Sequence, residues 1–140
     1  MIEDNPDDVT FTQRAFRKNN FGNKIVVAND GAMAMKLLLP PAGIVALRPS
    51  IVLLDINLPQ MSGLDVLRRL RSEEATKLIP VIMLTTSNDD RDVRASYECG
   101  ANGFVRKPVA FDDFLCAVKS LGLYWLEVNE QVRPQERRSG

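Results

Sequence analysis

The segment Ile51–Gly63, IVLLDINLPQMSG, constrains the fold more than any other part of the chain. Its apolar run Ile51–Leu54 stops abruptly at Asp55. A polar loop with Pro59 follows, and then a helical stripe of Leu64, Leu67 and Leu70. An uninterrupted apolar run is the pattern of a strand covered on both faces. A strand that delivers a carboxylate to its C-terminal end puts it where open α/β sheets bind ligands.

The same alternation recurs along the chain. Ile25–Ala28, Val81–Leu84 and Gly103–Val105 also read as strands, with helical patterns between the runs. The first helix starts near Asn5-Pro6-Asp7-Asp8, with a capping Asn, Pro at the first helical position and acids in the first turn. It extends to about Asn20. A second covers Gly31–Leu39 and breaks at Pro40-Pro41, a third begins near Ser62, and a fourth covers Asp89–Cys99. The fifth carries Phe111, Phe114, Leu115, Val118, Leu121 and Trp125 at helical spacing. Such alternation predicts an α/β fold, a doubly wound parallel sheet with right-handed helical crossovers.

Composition narrows the function. At 140 residues the chain suits one domain with a full core. Its 18 basic and 18 acidic residues cancel, which argues against bulk nucleic-acid binding. Histidine is absent, excluding His-based triads, His metal ligands and a phosphohistidine on this chain. Cys99 and Cys116 make neither a disulfide framework nor a zinc site, so a reducing, cytoplasmic setting is expected. No apolar run has the length of a membrane span, and the acidic N-terminus is not a signal peptide.

Several strand ends carry chemistry. Glu3 and Asp4 follow a short apolar stub, and Asp55 follows the run before it. If these strands are neighbours, three carboxylates cluster, which is unfavourable without a cation. Oxygen ligands without Cys or His select a hard ion, Mg²⁺ where phosphate is involved. The plainer reading of Glu3, Asp4, Asp7 and Asp8 is a stabilised helix N-terminus. Thr85-Thr86-Ser87 ends the next strand, and those hydroxyls suit either a phosphoryl oxygen or helix capping. Arg106-Lys107-Pro108 ends the last strand. Lys107 is either a solvated surface lysine or the partner of Asp55.

The ordered set IEDNPDD, IVLLDINLPQMSG, PVIMLTTS and GANGFVRKP resembles the receiver domain of two-component response regulators, over Met1 to about Glu130. The resemblance implies a flavodoxin-like (βα)5 fold with strand order 2-1-3-4-5. It implies that Asp55 accepts a phosphoryl group from a phosphohistidine on a sensor kinase. Glu3, Asp4, Asp55 and the backbone carbonyl of Asn57 would hold Mg²⁺. Thr85 and Lys107 would engage the phosphoryl group, Phe104 would turn with Thr85 in a switch, and Pro108 would follow a cis bond. The signal would leave through the face of the fourth helix, last strand and fifth helix. No enzyme activity, nucleic acid or membrane is implied.

Further expectations follow. The first strand, Met1-Ile2, is a stub where about five residues are usual, which predicts an apolar run upstream. Domain boundaries are 1–130 for the receiver and 131–140 for a polar, disordered tail. Tyr124-Trp125 resembles stand-alone receivers paired with phytochrome-type kinases, and a phosphotransfer protein is the other donor considered. Trp125 either packs the end of the fifth helix or belongs to a homodimer face there or on the fourth-helix side. The rival functions are a non-phosphorylated pseudo-receiver and a Mg²⁺-dependent phosphatase of the haloacid dehalogenase type. The latter wants a second Asp two residues after the first and Thr or Val four after, where this chain has Asn57 and Pro59.

Overall fold

Parallel strands joined by helical crossovers form the scaffold, and the computed structural model describes residues 1–108 and 110–132. Three strands, β1 (Val52–Leu54), β2 (Val81–Thr85) and β3 (Gly103–Arg106), pair in parallel in the order β1-β2-β3. Ile2 bridges Leu54 on one side and Ala28 on the other, both in parallel. Counting these two short segments, the order across the sheet is the expected 2-1-3-4-5. The tail expected over 131–140 lies, from 133 onward, outside the described residues.

Ile25–Ala28 does not form the full strand expected of it. Only Ala28 makes a bridge, to Ile2. A strand exists through its pairing, and this segment pairs alongside Met1–Glu3, where Ala28 bridges Ile2. The Met1 amine donates to Val26 O at 2.8 Å, Ala28 N–H to Met1 O at 2.9 Å and Glu3 N–H to Ala28 O at 2.9 Å.

Five helices surround the sheet: α1 (Pro6–Lys18), α2 (Gly31–Leu38), α3 (Gly63–Ser72), α4 (Asp90–Glu98) and α5 (Phe111–Gly122). The first four begin at side-chain caps, of which Asn5 is the one read as a cap in the sequence. The side chains of Asn5, Asp30, Ser62 and Asp89 each accept a backbone N–H of the first turn. After α5 the chain widens into a π-helical turn, Leu123–Val128. Among the described residues no helix is long and apolar enough to cross a membrane.

The period of two along each strand divides the core. Val52, Leu54, Val81 and Met83 face α2 and α3, where Ala34, Leu38, Val66, Leu67 and Leu70 are buried. Leu53, Ile82 and Leu84 face α1 and α5, meeting Phe16, Phe114, Val118 and Leu121. Trp125 packs against this second cluster, the plainer of its two readings, while Leu123, Tyr124 and Val128 stay exposed. With both faces covered, the C-terminal edge is left open, and Glu3, Asp55, Thr85 and Lys107 lie along it.

Candidate phosphoacceptor site

The register of the sheet assembles the site. Asp55 N–H donates to Ile2 O at 3.1 Å, so Asp55 and Glu3 leave adjacent strands side by side. On the other flank, Thr85 pairs with Arg106 and Lys107 N–H donates to Thr85 O at 2.8 Å. Lys107 is thereby fixed one residue past β3, and its side chain runs back along the edge.

The ammonium of Lys107 is the hub. Nζ donates to Glu3 Oε1 at 2.9 Å, Asp8 Oδ2 at 2.9 Å and Asp55 Oδ2 at 3.1 Å. All three ammonium protons thus have carboxylate acceptors. The side chains of Lys107, Glu3 and Asp55 are only 7%, 1% and 10% exposed, and that of Asp8 is 32% exposed. Asn57 N–H donates to Asp55 Oδ1 at 3.0 Å, which orients the second oxygen toward Lys107.

Burial and charge set the protonation states. Burial pushes the Glu3 carboxyl up to about 9; the neighbouring carboxyls of Asp55 and Asp8 add to this and Lys107 opposes it. Burial also acts to raise Asp55, but hydrogen bonds with Glu3, the Asn57 amide and Lys107, and the Lys107 charge, outweigh it and hold Asp55 below the usual carboxylate range. Burial would lower Lys107, yet hydrogen bonds to Glu3 and Asp8 and the Asp55 charge hold it well above its ordinary value. The site therefore presents a carboxylate that is ionised at neutral pH beside a permanent cation.

The arrangement differs from expectation in two places. Glu3, Asp8 and Asp55 bring carboxylate oxygens within 4.8 Å of one another, whereas Asp4 is exposed and outside this group. Successive residues leaving an extended segment point to opposite sides. When Glu3 turns into the sheet edge, Asp4 is carried outward, and Asp8 on the first turn of α1 fills the third place. Asp8 was legible only as one of two acids near a helix start. The second difference is Pro108: no peptide bond among the described residues is cis, so Lys107–Pro108 is trans. Cis accounts for only about 5–6% of X–Pro bonds, and Lys107 reaches its three acids with this bond trans.

The donor set fits a hard divalent cation. When all acids are ionised, three carboxylates against one ammonium leave two negative charges uncompensated. Glu3 Oε2 is buried with no hydrogen-bond partner, an acceptor that a proton or a cation would satisfy. The ligands are all oxygen, as Mg²⁺ and Mn²⁺ prefer.

Thr85 is fully buried at the end of β2, and its hydroxyl oxygen accepts Ser87 N–H at 3.3 Å. Phe104 is half-buried in β3, in register with Met83 and packed against the α2–α3 cluster. A cleft of about 280 Å³ opens beside the acids, lined by Asp7, Asp8, Phe11, Thr86, Lys107 and Pro108.

A parallel sheet whose open edge holds an aspartate, an acid pair and a buried lysine defines a class, the receiver domains of signalling proteins. The chain belongs to the response regulator receiver domain family of two-component signal transduction, matching it over residues 1–119. It is 34% identical over 134 residues to a probable methanogenesis regulatory protein, FilR2, of Methanothrix harundinacea, covering 96% of this chain and 86% of that one. It is 32% identical over 128 residues to the response regulator Rcp1 of Synechocystis sp., covering 91% and 87%. Among solved structures it is similar to the Mn²⁺-bound form of Rcp1, with a TM-score of 0.85, 31% identity and coverage of 94% and 96%. The phosphorylated cyanobacterial phytochrome response regulator RcpA gives a TM-score of 0.84, 29% identity and coverage of 94% and 95%.

Proposed function

We propose that Asp55 accepts a phosphoryl group from a phosphohistidine of a sensor histidine kinase. The supporting observation is the Asp55 carboxylate at the open strand edge, 3.1 Å from the Lys107 ammonium. A carboxylate oxygen of Asp55 forms the new O–P bond while the N–P bond of the donor breaks. The histidine nitrogen keeps the electron pair. Because Asp55 is already ionised, no general base is required. Catalysis of such a transfer is mainly positioning and charge stabilisation.

A Mg²⁺ ion would be held by Glu3, Asp8 and Asp55, with the Asn57 carbonyl as the backbone ligand, and would supply positive charge to the moving phosphoryl oxygens. Lys107 supplies a second positive charge from the chain itself. Thr85 is the directional donor: its buried hydroxyl swings to a phosphoryl oxygen and vacates space beside Phe104. The ring then repacks and alters the face of α4, β3 and α5, a bistable packing element biased by added charge of about −2.

The proposed donor is a phytochrome-type kinase, by analogy with the cyanobacterial phytochrome response regulator RcpA. The proposed compartment is the cytoplasm. The homodimer face rests on exposed Leu123, Tyr124 and Val128.

The test is incubation with acetyl phosphate and Mg²⁺ followed by intact-mass measurement. The wild-type chain should gain one phosphoryl mass and Asp55→Asn none. Equal labelling of both proteins would sink the assignment.

A further inference from the structure

The helix α4 is the least anchored of the five. Its one buried residue is Ser96, whereas α1, α2, α3 and α5 each bury three or four. Ser96 is polar, and its hydroxyl donates to Asp92 O at 2.7 Å within the same helix. An element with so little buried apolar surface moves at low cost. What ties its first turn to the sheet is therefore polar.

Two side-chain ties reach that turn. Arg106, at the end of β3, donates to Asp90 Oδ1 at 3.2 Å. Those side chains are 48% and 99% exposed, so solvent screens the pair and it holds little. The other tie is Ser87, in the loop between β2 and α4. Its hydroxyl donates to Asp92 Oδ2 at 2.5 Å, short as charge-assisted bonds are. Ser87 and Asp92 are both half-buried. The same hydroxyl oxygen accepts Asp89 N–H at 3.3 Å, at the cap of α4.

Ser87 has a second attachment, made by its backbone. Its N–H donates to the hydroxyl oxygen of the fully buried Thr85 at 3.3 Å. That bond lies beyond the usual N–H···O range and is the weaker of the two. One residue thus holds Thr85 with its backbone and α4 with its side chain. A displacement of the Thr85 hydroxyl breaks the weak bond first, and Ser87 then moves with Asp92 still attached.

We propose, resting on the phosphoacceptor reading of Asp55, that Ser87 and Asp92 are positioning residues, the link through which the Thr85 hydroxyl controls the first turn of α4. While Asp55 is unmodified, the Thr85 oxygen holds Ser87 N–H and Ser87 holds α4 in place. When the hydroxyl turns to a phosphoryl oxygen, it gives up Ser87 N–H. The loop is released, and Asp92 carries its displacement into α4. The route is separate from the Phe104 ring, which packs against the α2–α3 cluster.

Backbone amide NMR of the full chain with beryllofluoride and Mg²⁺, a mimic of the phosphoryl group, tests the link. The Asn57 amide, bonded to Asp55 Oδ1, reports loading of the carboxylate. The Ala95 and Tyr97 amides report α4. In the wild type all three should shift. In Ser87→Ala and in Asp92→Ala, Asn57 should shift as before, while the shifts at Ala95 and Tyr97 should fall about threefold or more. Ser87→Thr, which keeps a hydroxyl, should restore them. Wild-type shifts at Ala95 and Tyr97 in both alanine variants would overturn the link and leave the reading of Asp55 intact. A wild type in which Asn57 shifts and α4 does not would do the same. No shift at Asn57 in the wild type would remove the phosphoacceptor reading, and the link with it.

Discussion

Glu3 is an acid buried almost completely against two other acids, with the Lys107 ammonium bonded to one of its oxygens. Its carboxyl is raised to about 9 from an ordinary 4.5, first by burial. Between those values the folded protein holds a proton that the unfolded chain has released. Stability must therefore fall as pH rises through that window. For one proton the slope is at most about 1.4 kcal/mol per pH unit. Glu3→Gln carries no such proton, so its urea-unfolding free energy in EDTA should lack this decline from pH 5 to 9. The buried Met1 amine, lowered to about 6 from 8.0, tilts the curve the opposite way between those values. It is present in both proteins and cancels in their difference. Parallel pH profiles for wild type and Glu3→Gln would show that Glu3 titrates normally.

At the scale of elements, the loop between β1 and α3 carries Asp55 and shapes its surroundings. Gly63 N–H donates to Ile56 O at 2.8 Å, Met61 N–H donates to Pro59 O at 2.7 Å, and Gln60 takes a φ of 67°. The start of α3 is pressed so closely on β1 that a Cβ on Gly63 would lie 1.9 Å from Asp55 O. The obstacle is backbone, so no side chain can move aside. Gly63→Ala should cost about 3 kcal/mol or more, at the upper end for overpacking, and displace Asp55. Chemical denaturation would read the first effect and acetyl phosphate labelling the second. Gly22→Ala is the control, since a Cβ there meets nothing within 4 Å and stability should hold or rise slightly. Wild-type stability in Gly63→Ala would mean that the loop relaxes freely. Elsewhere, Arg71 ties elements together, donating to the carbonyls of Lys77, Ile79 and Gly100 and to Asn102 Oδ1. It is a structural clamp on which the sequence pattern is silent, because its acceptors are mostly backbone.

Across the whole molecule, what was legible in the sequence is what period and punctuation encode. Continuous apolar runs marked β1 and β2 as doubly covered strands, and Asn5, Ser62 and Pro40 marked helix ends. Asp55, Thr85 and Lys107 were legible because each ends a strand, and parallel strands end on one edge. What was not legible depends on distances between elements. Asp8 joins Glu3 and Asp55 at Lys107 because α1 folds its first turn over the edge, while Asp4 is exposed. The Ile25–Ala28 strand is reduced to one bridge, at Ala28. The result is a site to which four separate parts of the chain contribute: the N-terminal stub, α1, β1 and the end of β3. Global unfolding must disperse all of them, so a cation that binds there is linked to the stability of the entire fold. At a Mg²⁺ concentration of 100 times the dissociation constant, linkage gives about 2.7 kcal/mol. For a domain of this size that corresponds to a rise in melting temperature of roughly 5–10 °C. The rise should saturate with Mg²⁺, exceed that from NaCl at equal ionic strength, and shrink in Asp55→Asn. It should also grow from pH 6 to 8, because the ion competes with the proton that burial holds on Glu3. A rise that NaCl reproduces would reduce the effect to screening among exposed charges and remove the acid cluster from any role in holding a metal.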